Sequence, residues 1–117
     1  MGAGRDDRDD DAAGQRVFWH RELPPLSAEP AGEHWVEARS DAVPYRHGER
    51  DRLWGACVDS LNAHARARLL QEITRLGGSY AHVLDEAIVA KVDRARGEYW
   101  LEGRYDYELY REPASSA

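Results

Sequence analysis

The side chains best suited to chemistry lie within residues 77–92, GGSYAHVLDEAIVAKV, where His82, Asp85 and Glu86 interrupt an apolar run. Small and β-branched residues predict a strand here. Because neighbouring side chains of a strand point to opposite faces, Asp85 and Glu86 cannot form a close acid–base pair with each other. Any acid–base site would need a partner from elsewhere in the chain.

Two assignments of the faces of this strand compete, and the choice decides which carboxylate is buried. In the first assignment, the face that packs against the helix is mostly small and β-branched and consists of Ala81, Val83, Asp85, Ala87 and Val89. His82 and Glu86 would then face solvent, and a buried Asp85 would need a partner such as Arg68 or Tyr105. The reverse assignment buries Glu86, and a bulge could turn Asp85 outward. Asp85 with Tyr105 is the candidate centre of a small hydrolase or isomerase.

Metal binding is the second chemical hypothesis, with His20, His34, His82 and Glu86 as candidate ligands for a divalent transition metal. Structural zinc sites usually show closely spaced pairs of ligands, such as two cysteines separated by two residues, and this sequence has no such pair. A site would have to be assembled from separate strands. Otherwise each histidine is expected at the surface or in a hydrogen bond, and no cofactor is expected.

The clearest element that must position these residues is a helix over 49–76. Apolar residues recur every three or four positions: Trp54, Val58, Leu61, Ala65, Leu69, Ile73 and Leu76. This spacing is typical of an amphipathic helix with one buried face. Gly77 and Gly78 predict its end. Gly55 predicts a bend or break in the first turns, because glycine lowers helix stability.

Strands are predicted at 34–43 and 80–92, with a further one at 98–111 and an apolar run at 17–19 as an extra N-terminal strand. The last two should form an antiparallel hairpin, and the strand before the helix could pair parallel to the strand after it. Tyr105 belongs to the face of the final strand that should lie against the helix, with Gly103 allowing close approach. The predicted fold is α+β, with one long amphipathic helix packed on a small mixed sheet.

The length of 117 residues predicts a single domain at 16–112, between an acidic disordered tail at 1–15 and a frayed tail at 113–117. The net charge of −6 and the lack of a basic stripe disfavour nucleic acid as a partner. Anionic membranes are disfavoured for the same reason. The lone Cys57, read as a small buried hydrophobe, fits a reducing, cytoplasmic location.

One helix cannot cover both faces of the sheet, so large aromatic residues should remain on the other face. Trp35, Trp100 and Tyr110 are the candidates. Exposed aromatic surface of this kind predicts a covering partner, either the N-terminal segment with Phe18 and Trp19 or another subunit. The sequence therefore favours a homo-oligomer or a complex with another protein.

Residues 65–92, ARARLLQEITRLGGSYAHVLDEAIVAKV, join an Ala- and Arg-rich helix through a Gly turn to a Val-rich strand. This resembles the small bacterial heavy-metal-binding domains of the YbjQ type and the domains of Rcs stress-sensor lipoproteins. The resemblance implies a strand–helix–strand–strand fold and a tendency to oligomerise, and no ligand set carries over. The leading expectation is a non-enzymatic module that binds itself or another protein; a metal- or stress-responsive module is the alternative, and the hydrolase or isomerase is the second alternative.

Overall fold

The computed structural model describes residues 14–113 and shows one helix lying on one face of a mixed five-stranded sheet. The elements in chain order are β1 Val17–Trp19, β2 Glu29–Arg39, β3 Val43–Pro44, α1 Arg50–Arg75, β4 Tyr80–Asp93 and β5 Glu98–Arg111. The predicted α+β class and the extra N-terminal strand are confirmed. Most of both predicted tails lies outside the described residues. Within 14–113, no helix is long and apolar enough to cross a bilayer.

Helix α1 is continuous from Arg50 to Arg75, as the apolar spacing predicts. Its buried hydrophobic residues are Leu53, Cys57, Leu61, Ala65, Leu69 and Ile73. Trp54, predicted on this stripe, is instead 40% exposed. The helix does not break at Gly55, because one glycine costs a helix only about 1 kcal/mol and the buried stripe continues on both sides of it. The chain leaves the helix through Gly77, whose φ of 70° is left-handed.

The strands lie in the order β1-β4-β5-β2, and β3 pairs with the far end of β5. The predicted antiparallel hairpin is formed by β4 and β5. The expected parallel pairing of the strand before the helix is wrong, because β2 runs antiparallel to β5 and β1 is the parallel neighbour of β4. β2 also begins at Glu29 rather than at His34. Pairing with β5 sets Val36 opposite Tyr105, where both side chains are buried beneath α1.

β5 is the central strand of the core and alternates as predicted. Its buried positions are Tyr99, Leu101, Gly103, Tyr105, Tyr107 and Leu109. The expected role of Gly103 is wrong, since the nearest atoms to its missing Cβ belong to Tyr105 of the same strand rather than to the helix. The glycine therefore makes room for an aromatic ring that lies back along the strand.

A bulge in β4 decides which way its polar residues point. The register runs from Val83 opposite Tyr107 directly to Asp85 opposite Asp106, so that Leu84 is the extra residue. Before the bulge, odd-numbered residues face α1; after it, even-numbered residues do. The prediction of a buried Asp85 is therefore wrong, and the alternative of a bulge that turns it outward is confirmed: Asp85 is exposed.

Candidate functional site

The turn after β1 brings His20 against β4. The backbone N–H of His20 donates to the carbonyl of Val83 at 2.8 Å, and His20 has a φ of 53°. Its Nε2 lies 2.7 Å from Oε1 of Glu86, and both side chains are partly exposed. An exposed pair of this kind contributes about 0–1 kcal/mol. The contact ties the turn to the strand and joins two of the four predicted metal ligands.

The other two histidines have separate partners. His82 is buried, not solvated as predicted, and its Nε2–H donates to the carbonyl oxygen of His20 at 2.7 Å. His34 lies on β2, beyond β5, with its ring centroid 5.7 Å from that of Tyr107. Over residues 14–113 no three His, Cys, Asp or Glu side chains are grouped to hold a metal ion. The structure therefore supplies at most the His20–Glu86 pair.

Asp85 and Tyr105 lie on opposite faces of the sheet. Asp85 faces away from α1 beside Asp106, whereas Tyr105 is fully buried on the helix side, opposite Glu86. Burial, and then the negative charge of Glu86, raises the pKa of Tyr105 to about 12. The two side chains cannot reach one substrate from opposite sides of a strand, so the predicted hydrolase or isomerase pairing is not formed.

The sheet face that points away from α1, called here the open face, carries two arginine–tryptophan stacks. The guanidinium carbon of Arg104 lies 4.4 Å from the ring centroid of Trp35, and that of Arg39 lies 4.7 Å from the ring centroid of Trp100. Each stack joins β2 to β5, which fixes side chains that are otherwise long and mobile. Trp35 remains 52% exposed. Arginine and tryptophan are enriched at the centres of protein interfaces.

The N-terminal segment with Phe18 and Trp19, predicted as one possible cover for the open face, covers it only in part. Phe18 of β1 packs edge-on against Tyr80, with ring centroids 5.8 Å apart, and both lie at the β1 end of the open face. Trp19 instead packs against Tyr105 on the helix side. The N-terminal strand therefore covers one end of the open face and leaves the region around Trp35 bare.

A wide groove runs across the uncovered part of the open face. It has a volume of about 420 Å³, and its walls include Arg39, Val89, Glu102 and Arg104. The groove is open to solvent along its length and mixes charges of both signs with apolar side chains. Small-molecule sites are usually enclosed, so this open shape suits a polypeptide surface better than a small substrate.

The distal half of β4, residues 85–93 and called here the free edge, is the most unusual surface of the molecule. β1 pairs with β4 only as far as Val83, and within the described residues no strand lies on the outer side of the free edge. Within it, Val89 is 51% exposed and Val92 41%, and the bulge residue Leu84, just before it, is 50% exposed. Helix α1 contacts mainly β2 and β5, so the helix side of this segment is only partly covered: Ile88 packs against the margin of the core, whereas Val92 stays exposed.

No family model, curated protein or solved structure matches the chain. The likeness to the YbjQ and Rcs types therefore stays an expectation, and the site rests on the geometry alone.

Sequence reasoning missed the free edge because it treated 80–92 as a strand with one buried face. A signal was present: Ala87 to Val92 reads AIVAKV, which is apolar at both odd and even positions. Such a run belongs to a strand that is covered on both faces. Within residues 14–113 the open-face side of this run is bare and the helix side is covered only at Ile88, which points to a surface that a partner completes.

Proposed function

We propose that this chain is a non-enzymatic module that associates with a second copy of itself through the free edge and the adjoining open face. The observation that supports this proposal is the free edge: a strand segment with exposed apolar side chains on both faces and, among the described residues, no strand paired to its outer side. Exposed strand edges pair readily with other strands. Soluble monomers rarely leave such apolar surface uncovered.

A second copy is favoured over an unlike partner because the surface carries both signs of charge. Arg39 and Arg104 lie on the open face near Glu102 and Asp106, and the free edge has Lys91 as well as Asp85. A surface with one sign of charge would repel its own copy, whereas a mixed surface can complement itself across a two-fold axis. A cytoplasmic location is part of the proposal, supported by the single buried Cys57.

The test is the mass of the chain in solution, measured by light scattering and sedimentation over a wide concentration range. We expect the mass to approach twice that of one chain. Val89→Glu places a charge in the proposed interface and should weaken the dimer on the order of tenfold or more. Leu26→Glu is the matched control, because Leu26 is 99% exposed in the loop between β1 and β2. A mass of one chain at every concentration would overturn the proposal.

A further inference from the structure

We infer that two copies pair antiparallel along the free edge, with the two-fold axis midway between the two Ile88 residues. This inference rests on the proposed self-association and adds its geometry. A two-fold axis that joins antiparallel strands stands perpendicular to the sheet, so residues that face each other lie on the same face. One residue of each copy must therefore lie opposite the same residue of the other copy, with the axis midway between them, and each choice of that residue defines one register.

The register centred on Ile88 pairs two of the three charged residues on the open-face side of the free edge, Asp85 and Lys91, with an opposite charge; the third, Asp93, ends the strand. Asp85 of each copy faces Lys91 of the other, and Ala87 faces Val89. All four lie on the open face, as their cross-strand partners in β5 show. Lys91 is the only lysine of the chain.

Neighbouring registers are worse on the same criteria. Centring on Val89 sets Asp85 opposite Asp93, which is a like-charge pair and destabilising. Centring on Ala87 sets Lys91 opposite Val83, whose outer side is already paired with β1. The register through Ile88 avoids the like-charge pair. Only Asp93, the last residue of β4, comes opposite Val83 in it, whereas centring on Ala87 brings residues 91–93 opposite the three residues that pair with β1.

Among the described residues, Asp85 also has no cation on its outer side. Its neighbour in β5 is Asp106, so two carboxylates lie directly opposite each other on adjacent strands. Arg104 Nε donates to Asp106 Oδ1 at 3.2 Å, which compensates one of the two charges. Lys91 of the second copy would lie next to the carboxylate of Asp85 and compensate the remaining charge. Exposed ion pairs add little affinity, so the contribution of this pair is mainly to register.

The joined structure has a definite arrangement. The sheets of the two copies become continuous, both helices lie on one side, and both open faces lie on the other. Val89 and Val92, each exposed in the single chain, become neighbours of the partner's strand. The Arg–Trp stacks of the two copies then form one extended surface.

Charge reversal tests the register with internal controls. Asp85→Lys places two lysines opposite each other, Lys91→Asp places two aspartates opposite each other, and each variant should dimerise about tenfold more weakly. Mixing the two variants should restore association as a heterodimer, and the double variant should restore the homodimer. A dimer that is weakened by either single variant and not restored by mixing contradicts the register.

Cysteine crosslinking gives a second, independent readout. Ile88→Cys brings two thiols together across the axis, within the 4.4–6.8 Å Cα separation that a disulfide spans, and should form a covalent dimer on mild oxidation. Ala90→Cys faces Glu86 of the other copy and should crosslink on the order of tenfold more slowly. The native Cys57 is fully buried and does not interfere.

The outcomes separate this inference from the proposed function. A wild-type chain that stays monomeric overturns both. A wild-type dimer that is indifferent to the charge variants, and in which both cysteines crosslink equally slowly, keeps the self-association and overturns the pairing through Ile88. Charged residues on a strand edge can also prevent strand pairing. If that is the role of Asp85 and Lys91, the wild-type chain stays monomeric and both proposals are overturned.

Discussion

The ring of Tyr105 lies back over Gly103 on its own strand, so closely that a Cβ at position 103 would come within 2.6 Å of the Tyr105 hydroxyl oxygen. Two carbons of the ring would lie 2.8 Å from that Cβ. Real Cβ contacts are not that short, so the tyrosine ring at position 105 can lie there only because position 103 is a glycine. The pair occupies the core beneath α1, and Trp19 covers the ring edge-on at a centroid distance of 5.9 Å.

Gly103→Ala should therefore destabilise the fold. Overpacking of a core costs about 1–3 kcal/mol, measured here as the free energy of unfolding in urea. The same substitution in a Tyr105→Leu background should cost less, because the ring that the new Cβ meets has been removed. Equal costs in the two backgrounds would contradict the contact.

The hydroxyl of Tyr105 gives a stabilising prediction. It is buried and has no hydrogen-bond partner among the described residues. An unsatisfied buried polar group costs about 1–3 kcal/mol, so Tyr105→Phe should raise the free energy of unfolding by roughly 1 kcal/mol. Tyr107→Phe is the matched control, because the Tyr107 hydroxyl donates to Oε1 of Glu72 at 3.4 Å. Thermal melting should show the first variant stabilised and the second not.

Two glycines of the helix region should respond to alanine in opposite directions. Gly55 lies inside α1 with no atom near its missing Cβ, so Gly55→Ala should stabilise the chain by about 0.5–1 kcal/mol. Gly77 has a φ of 70°, and Gly77→Ala should destabilise it by about 1–2 kcal/mol. Urea unfolding measures both. A destabilised Gly55→Ala variant would mean that position 55 does require glycine.

Glu72 predicts a loss of stability in acid. Its carboxylate accepts hydrogen bonds from Arg75 at 2.7 and 3.0 Å, which lowers its pKa below the ordinary value of 4.5, despite the opposing effect of burial. Because the folded-state pKa is the lower one, this contribution is present above pH 4.5 and is lost as the pH falls through the folded value. Glu72→Gln should therefore be less stable than wild type at pH 7, and the difference should shrink below pH 4.5.

Arg75→Gln should have the same pH signature, since the hydrogen bonds of Arg75 are the largest cause of the shift. Urea unfolding at a series of pH values measures all three proteins. If the difference between wild type and Glu72→Gln stays constant down to strongly acidic pH, the ion pair does not contribute to stability in the way the geometry indicates.

The sequence was sufficient for the long-range pattern of the core. The spacing of apolar residues predicted α1 to within a residue at each end, and strict alternation in β5 identified every residue that the helix covers. These predictions succeed because periods of 3.6 and 2 follow from backbone geometry, and each element that obeys its period buries one face.

The candidate site depended on features that leave no periodic signal. The Leu84 bulge shifts the alternation of β4 by one residue, so Asp85 turns outward and Glu86 turns toward the helix side. The pairing partners of the strands could not be predicted either, because the alternation of buried and exposed residues in β2 is compatible with a position beside either β4 or β5. Only the assembled sheet showed that the pairing of β1 with β4 ends at Val83, and that no other described strand lies beside the rest of β4 on its outer side.

The sequence by itself determined that this chain has one amphipathic helix, a hairpin and an excess of aromatic residues over what one helix can cover. The tertiary structure alone decided where that excess lies and which edge stays free. The physical reason is that burial within an element depends on neighbours along the chain, whereas the exposure of a strand's edge depends on which other strands, distant in sequence, reach it.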